Sequence, residues 1–327
     1  MNARPPPAEL ARGVLSGHRA SLARAITLVE SGRPQHRTEA LELLSALRPP
    51  DPPAIRLGIS GVPGVGKSTF IETFGMSLVE QGHRVAVLAV DPSSIRTGGS
   101  IMADKTRMAR LSRHAHAFVR PSPSGGTLGG VARRTRESIE LVEAAGYDIV
   151  LVETVGVGQS ESSVSTMVDT FLLLCLAGAG DDIQGIKRGI LEFADVLALT
   201  KADGDNVIRA RSAAADLRAA VGVFVPHDSP WIPPIRLTSA QTGEGIEQVK
   251  QDVFRHREIM LQTGRFTARR REQRIEWLHA TVEEVLIETF HRHPRVSKLL
   301  PEIEERVASG DLTPSLGARA LLEAQRE

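Results

Sequence analysis

The sequence predicts an α/β fold, with a mostly parallel central sheet flanked by helices. Two observations predict it. Six short apolar runs rich in Val, Ile and Leu punctuate residues 55–237 with little polar alternation, as strands covered on both faces do. Longer stretches with apolar residues at helical spacing lie between them, and that alternation is the mark of parallel βαβ units.

The expected strands are 55–59, 85–90, 149–152, 170–176, 196–199 and 235–237. Helical patterns intervene at 67–81, 103–112, 129–145, 184–193 and 206–220. Ahead of the sheet, residues 8–30 and 36–48 carry helical spacing, and Pro49-Pro50-Asp51-Pro52-Pro53 stops any helix there. An N-terminal helical extension over 1–50 and a sheet-bearing domain over 51–262 are therefore expected. Past 245 the strand signal stops, and 245–260, 267–290, 295–308 and 314–325 read as helices, so 263–327 is expected to form a C-terminal helical arm. Residues 265–274 carry five arginines, read as a solvated helix face.

Composition narrows the function. Lys plus Arg number 40 against 39 Asp plus Glu, so no global charge draws the chain to nucleic acid or to a membrane surface. Cys175 is the single cysteine, which excludes an intrachain disulfide and a cysteine-based metal site. The apolar run 171–177 is far too short to span a bilayer, and the first residues lack the apolar stretch of a secretory signal. A soluble, cytoplasmic protein is expected.

The first strand runs into Gly61-Val62-Pro63-Gly64-Val65-Gly66-Lys67-Ser68, with Thr69 next, and a helix opens at once. Glycines let backbone N–H groups approach phosphates with no Cβ in the way. The helix N-terminus adds partial positive charge. Lys67 is expected to reach the β- and γ-phosphates and the Ser68 hydroxyl to bind Mg²⁺. Strand before and helix after make this a P-loop, and the fold a P-loop NTPase.

Acids complete the phosphate site. The strand 149–152 ends in Glu153, with Gly156 three residues on; P-loop proteins place an acid at such a strand end to hold the Mg²⁺ shell. The Gly156 N–H can approach the γ-phosphate. Asp91 ends the strand 85–90, where it would face the phosphates, while Asp104 is open between the metal shell and a helix cap.

The base is expected to be guanine. Thr200-Lys201-Ala202-Asp203 follows a strand, where GTPases usually carry Asn-Lys-x-Asp. Asp203 can accept from both guanine N1–H and the 2-amino group, and adenine offers no such pair. The Lys201 stem covers the base. Ser239-Ala240, after the strand 235–237, resembles the element whose backbone N–H meets guanine O6. Thr200 keeps a hydroxyl but lacks the amide that braces loop and purine, a departure that bears on the strength of guanine selection and not on the fold.

Longer blocks carry a family resemblance. They are residues 58–68, 87–94 (ending in Asp91-Pro92-Ser93-Ser94), Thr97-Gly98-Gly99-Ser100, 104–108, 120–124, 126–130, 152–160 and 178–185. Over about residues 10–325 the chain resembles the MeaB/ArgK family of G-protein chaperones of adenosylcobalamin-dependent methylmalonyl-CoA mutase. The resemblance implies a GTP- and Mg²⁺-binding domain between an N-terminal helical piece and a C-terminal arm that dimerises. It implies that nucleotide state gates cobalamin delivery to an acyl-CoA mutase and protects that mutase, with the adenosyltransferase as a further partner. It places the Mg²⁺-site acids at Asp91, Asp104 and Glu153, beside Ser68. It also implies a loop at 178–188 that signals to the mutase.

Hydrolysis needs a group that orients water, and the position directly after Gly156 is Val157, which cannot. Intrinsic GTPase activity is therefore expected to be weak, well below about 10 s⁻¹, and stimulated by the partner. Gln159, Asp104 and Lys187 are candidates to complete the site. Rival readings are a nickel-insertion GTPase, a transport-system kinase and a nucleotide-holding module without turnover. The close histidine pairs, His114/His116 and His291/His293, lack cysteine partners and argue against the first. Nothing supplies a catalytic loop for a protein hydroxyl acceptor, which argues against the second.

Overall fold

The computed structural model of the protein describes residues 5–90, 108–121, 128–154, 160–176, 188–226 and 228–326. The chain divides into two compact units, Met1–Gln273 and Arg274–Glu327.

The described residues of the first unit form a seven-stranded sheet: β1 Ile55–Gly61, β2 Val85–Val90, β3 Ala117–Arg120, β4 Ile149–Thr154, β5 Thr170–Leu176, β6 Val196–Thr200 and β7 Ile235–Leu237. The strand order is β3-β2-β4-β1-β5-β6-β7, and every pairing is parallel. β1 lies centrally, between β4 and β5, with Ile59 in register with both Glu153 and Leu172. The order reverses beside β1, which opens a crevice at the carboxyl ends of these strands.

Helices cover both faces, which is why the strands carry no polar alternation. On one face Ile55, Leu57, Ile59, Val87, Leu151 and Leu172 join Phe70, Ile71, Phe74 and Leu78 of α4 (Lys67–Val79) in the main core. Phe70 and Phe74, one helical turn apart, stack at 5.5 Å. α10 (Ile246–Gln262) adds Ile246, Val249 and Val253. On the other face Gly58 lets Val164 and Val168 approach β1; a Cβ at Gly58 would lie 3.0 Å from both. Further helices among the described residues between β2 and β7 are α5 Ala109–Arg113, α6 Leu128–Ala144, α7 Ser160–Ser165, α8 Arg188–Leu191 and α9 Val207–Phe224.

Helical spacing across 8–30 resolves into two helices, α1 Pro7–Leu15 and α2 Arg19–Val29, followed by α3 Pro34–Ser45. Gly17 makes the break: at φ 73° it takes the left-handed conformation. The bonds Gly17 N–H to Val14 O (2.8 Å) and His18 N–H to Gly13 O (2.9 Å) then close α1.

One expectation fails at the start of α11 (Arg265–Arg292). Arg265, Arg271 and Arg274 are exposed, but Arg270 is buried. It forks onto Asp169 at 2.6 and 2.7 Å and donates to Ala54 O at 2.8 Å. Asp169 also accepts the Arg56 N–H at 2.8 Å. The Arg56 guanidinium forks onto Glu143 of α6 at 2.7 Å twice. Two arginines and two carboxylates thus satisfy one another at the base of β1, the only way such charges sit in a core.

In the second unit α12 (Pro294–Ala308) and α13 (Pro314–Arg326) bury Val296, Ile303 and Leu321. A Cβ at Gly317 would lie 2.9 Å from Ile303, so the two helices meet where no side chain intervenes. Along α11, Ile275, Leu278, Val282, Val285 and Leu286 are all exposed.

Candidate functional site

The phosphate loop joins β1 to α4. Gly61 passes so close to β5 that a Cβ would stand 2.5 Å from Leu174 O. Gly64 and Gly66 hold φ 79° and 97°, conformations open to glycine. Val65 anchors the loop in the core, whereas Val62, Pro63, Gly64 and Thr69 face outward. α4 starts at Lys67 behind Gly66 with no side-chain cap. Its first-turn N–H groups therefore face the loop as donors for an anion. Lys67 Nζ donates to Gly61 O at 2.7 Å and Val62 O at 3.3 Å, so the ammonium lies along the loop.

Glu153 stands at the carboxyl end of β4, buried, and accepts a 3.3 Å bond from the Ser68 hydroxyl. Beside it Thr154 donates to Ser60 Oγ at 2.8 Å, locking the ends of β4 and β1 together. Two hard oxygen donors, Ser68 Oγ and the Glu153 carboxylate, thus meet beside a helix N-terminus, a set suited to Mg²⁺ on a phosphate. Asp91, Asp104, Gly156, Val157, Gln159 and Lys187, and the loop 178–187, lie outside the described residues.

A second loop system closes on the first. The Thr200 hydroxyl reaches Val65 O at 2.7 Å, with Cys175 O at 3.3 Å. Lys201 Nζ donates to Gly64 O at 2.9 Å, and its stem passes beside Gly66. Lys201 takes φ 55°, a left-handed conformation rare outside glycine. The Asn206 amide holds it there through Lys201 O at 2.8 Å. The Ser239 hydroxyl donates to Asp203 Oδ2 and fixes that carboxylate. Ser239 N–H is taken by Glu244 O at 2.9 Å. Ala240 O accepts from Thr73 of α4 at 2.9 Å, tying this loop to the phosphate helix. Gly245 permits the fold-back: a Cβ there would lie 1.9 Å from Leu237 O.

Sequence reasoning missed Ser60, Thr73, Asn206 and Gly245. The signal for Gly245 was present, a glycine just ahead of a helix; the other three act through contacts that spacing does not reveal. A hollow of about 500 Å³ lies elsewhere, at the amino ends of β5, β6 and β7, lined by Asp195, Trp231, His256, Met260, Phe266 and Arg269 among others. Among the described residues no group of three His, Cys, Asp or Glu could hold a metal ion.

A glycine loop between a central parallel strand and an uncapped helix, with Lys67 and Ser68 at the helix start, defines a P-loop NTPase. The family model "Methylmalonyl Co-A mutase-associated GTPase MeaB" matches residues 22–295. A "Probable GTPase" of Mycobacterium tuberculosis is 54% identical over 96% of this chain and 94% of that protein. The "GTPase ArgK" of Escherichia coli is 43% identical over 97% and 96%. The mouse "Methylmalonic aciduria type A homolog, mitochondrial" is 46% identical over 95% and 78%. Among solved structures, one titled "Crystal structure of LAO/AO transport system kinase" superposes with a TM-score of 0.75 at 36% identity, covering 100% of both chains. The chain belongs to the MeaB family of GTPases.

Proposed function

We propose that this protein is a Mg²⁺-dependent GTP switch, slow on its own, that gates cobalamin delivery to an acyl-CoA mutase and protects it, with methylmalonyl-CoA mutase the favoured partner. One observation carries the nucleotide half. The loop 200–203 is hydrogen-bonded directly to the phosphate loop, through Thr200 to Val65 and Lys201 to Gly64, while Ser239 aims Asp203. Base recognition and phosphate binding are thereby one rigid frame. The family's description as mutase-associated supports the partner half.

In this reading Lys67 leaves its loop carbonyls for the β- and γ-phosphate oxygens. The Ser68 hydroxyl and Glu153, with Asp91 and Asp104, would hold Mg²⁺, whose charge would offset that of the phosphates when it is bound. The Gly61–Thr69 backbone and the Gly156 N–H cradle the phosphates. Asp203 accepts from guanine, the Lys201 stem lies on the base, and Ala240 offers the N–H for O6, since Ser239 has committed its own. Asp104, Gln159 and Lys187 are the candidates to complete the hydrolytic site. The exposed row on α11 serves as the homodimer seam.

Equilibrium titration with GTP and with ATP in Mg²⁺ tests the nucleotide half. GTP should bind at least about a hundredfold more tightly, the worth of a bidentate carboxylate contact. Equal binding would contradict the reading.

A further inference from the structure

We infer that, among the described residues, guanine is read by its Watson–Crick edge and the ring nitrogen N7 has no side-chain partner, Thr200 being a brace of the phosphate loop and not a contact to the base. The inference rests on the guanine reading of the site.

A threonine hydroxyl has one hydrogen. At Thr200 that hydrogen faces two acceptors, Val65 O at 2.7 Å and Cys175 O at 3.3 Å. The residue is 5% exposed, and a methyl group offers no hydrogen bond. An asparagine amide has two N–H groups and a carbonyl, enough to hold the loop and still serve a ring acceptor. The adjacent donors are turned to backbone carbonyls. Lys201 Nζ is on Gly64 O at 2.9 Å and the Asn206 amide is on Lys201 O at 2.8 Å. Among the described residues, the groups this reading assigns to the base are the Asp203 carboxylate, aimed by Ser239, and the Ala240 N–H.

Guanine and adenine share the N7 acceptor and differ at the six-position and at the Watson–Crick edge. A lost N7 contact therefore weakens every purine alike. Thr200 does not loosen the choice of guanine; it removes a contact that never distinguished the two bases. The brace, the half of the asparagine's work that orders the phosphate loop, is retained by the hydroxyl.

The test is competition against a fluorescent GDP analogue on the full-length chain with Mg²⁺, using GTP, 7-deaza-GTP (N7 replaced by C–H) and ATP. 7-deaza-GTP should compete within about twofold of GTP, with ATP far weaker. A deficit of about tenfold for 7-deaza-GTP, one good hydrogen bond, with ATP still excluded, would overturn this inference alone. ATP competing as well as GTP would overturn the guanine reading and the inference with it. Two variants separate brace from base contact. Thr200→Val should weaken GTP and 7-deaza-GTP by the same factor, about 2- to 10-fold; weakening of GTP alone would overturn the inference. Thr200→Asn should make GTP the better ligand by a few-fold.

Discussion

At the scale of the residue, two side chains make opposite statements about charge. Asp203 is held by the Ser239 hydroxyl, and in the proposed reading it accepts two donors from guanine. Asp203→Asn should weaken GTP by about a hundredfold, since charged hydrogen bonds are lost and a donor now faces a donor. The same variant should bind xanthosine triphosphate better, because its amide can donate to the C2 carbonyl; nucleotide competition measures both. His256 is buried against Thr170, whose Oγ1 lies 2.8 Å from Nδ1, and against the edge of Trp231. Burial pushes the imidazole below its ordinary value; Asp195 and Asp169 oppose that and Arg269 reinforces it. The folded chain therefore keeps His256 neutral where the unfolded chain takes up a proton near pH ~6.5. Its contribution to stability is intact above that pH and declines as the pH falls from there toward the folded value. Urea midpoints from pH 7.5 to 5.5 should fall more for wild type than for His256→Gln. Lys67, Ser68 and Asp203 were legible because motif spacing places them. The Thr200 brace was not, because it depends on where Val65 O comes to lie after folding.

At the scale of the element, the question is what fixes β1, the strand that delivers the phosphate loop. Its amino end is tied to α6 and α11 by the Arg56–Glu143–Arg270–Asp169 cluster. Its carboxyl end is tied to β4 through Ser60 and Thr154. Arg270→Met removes the cation that forks onto Asp169 and leaves that buried carboxylate with the Arg56 backbone N–H. Breaking such a cluster from one side costs about 3–5 kcal/mol, which equilibrium urea unfolding would register; a loss under about 1 kcal/mol would show the cluster is not holding β1. The long buried strands were legible from their continuous apolar runs. β3 was not: Ala117–Arg120 is four residues at the sheet edge, paired with β2 only, too short to show a period. The burial of Arg270 was equally hidden, because a run of arginines gives no sign of which one turns inward.

At the scale of the whole molecule, the fold places a phosphate loop at the order reversal of a parallel sheet and ends in a helical arm with its own small core. The apolar row Ile275, Leu278, Val282 and Val285 on α11 repeats at three- and four-residue steps and is 41–61% exposed, the spacing of a helix–helix seam. Leu278→Glu with Val285→Glu should convert a dimer to a monomer in light scattering, with GTP affinity unchanged. In the proposed function, the turnover of the GTP site is set by its partner. That dependence is tested most directly by the rate of GTP hydrolysis with Mg²⁺, by the chain alone and with methylmalonyl-CoA mutase added. The expected result is a slow intrinsic rate, well under about 10 s⁻¹, that rises when the mutase is present. A fast rate in the chain alone, unchanged by the mutase, would contradict it.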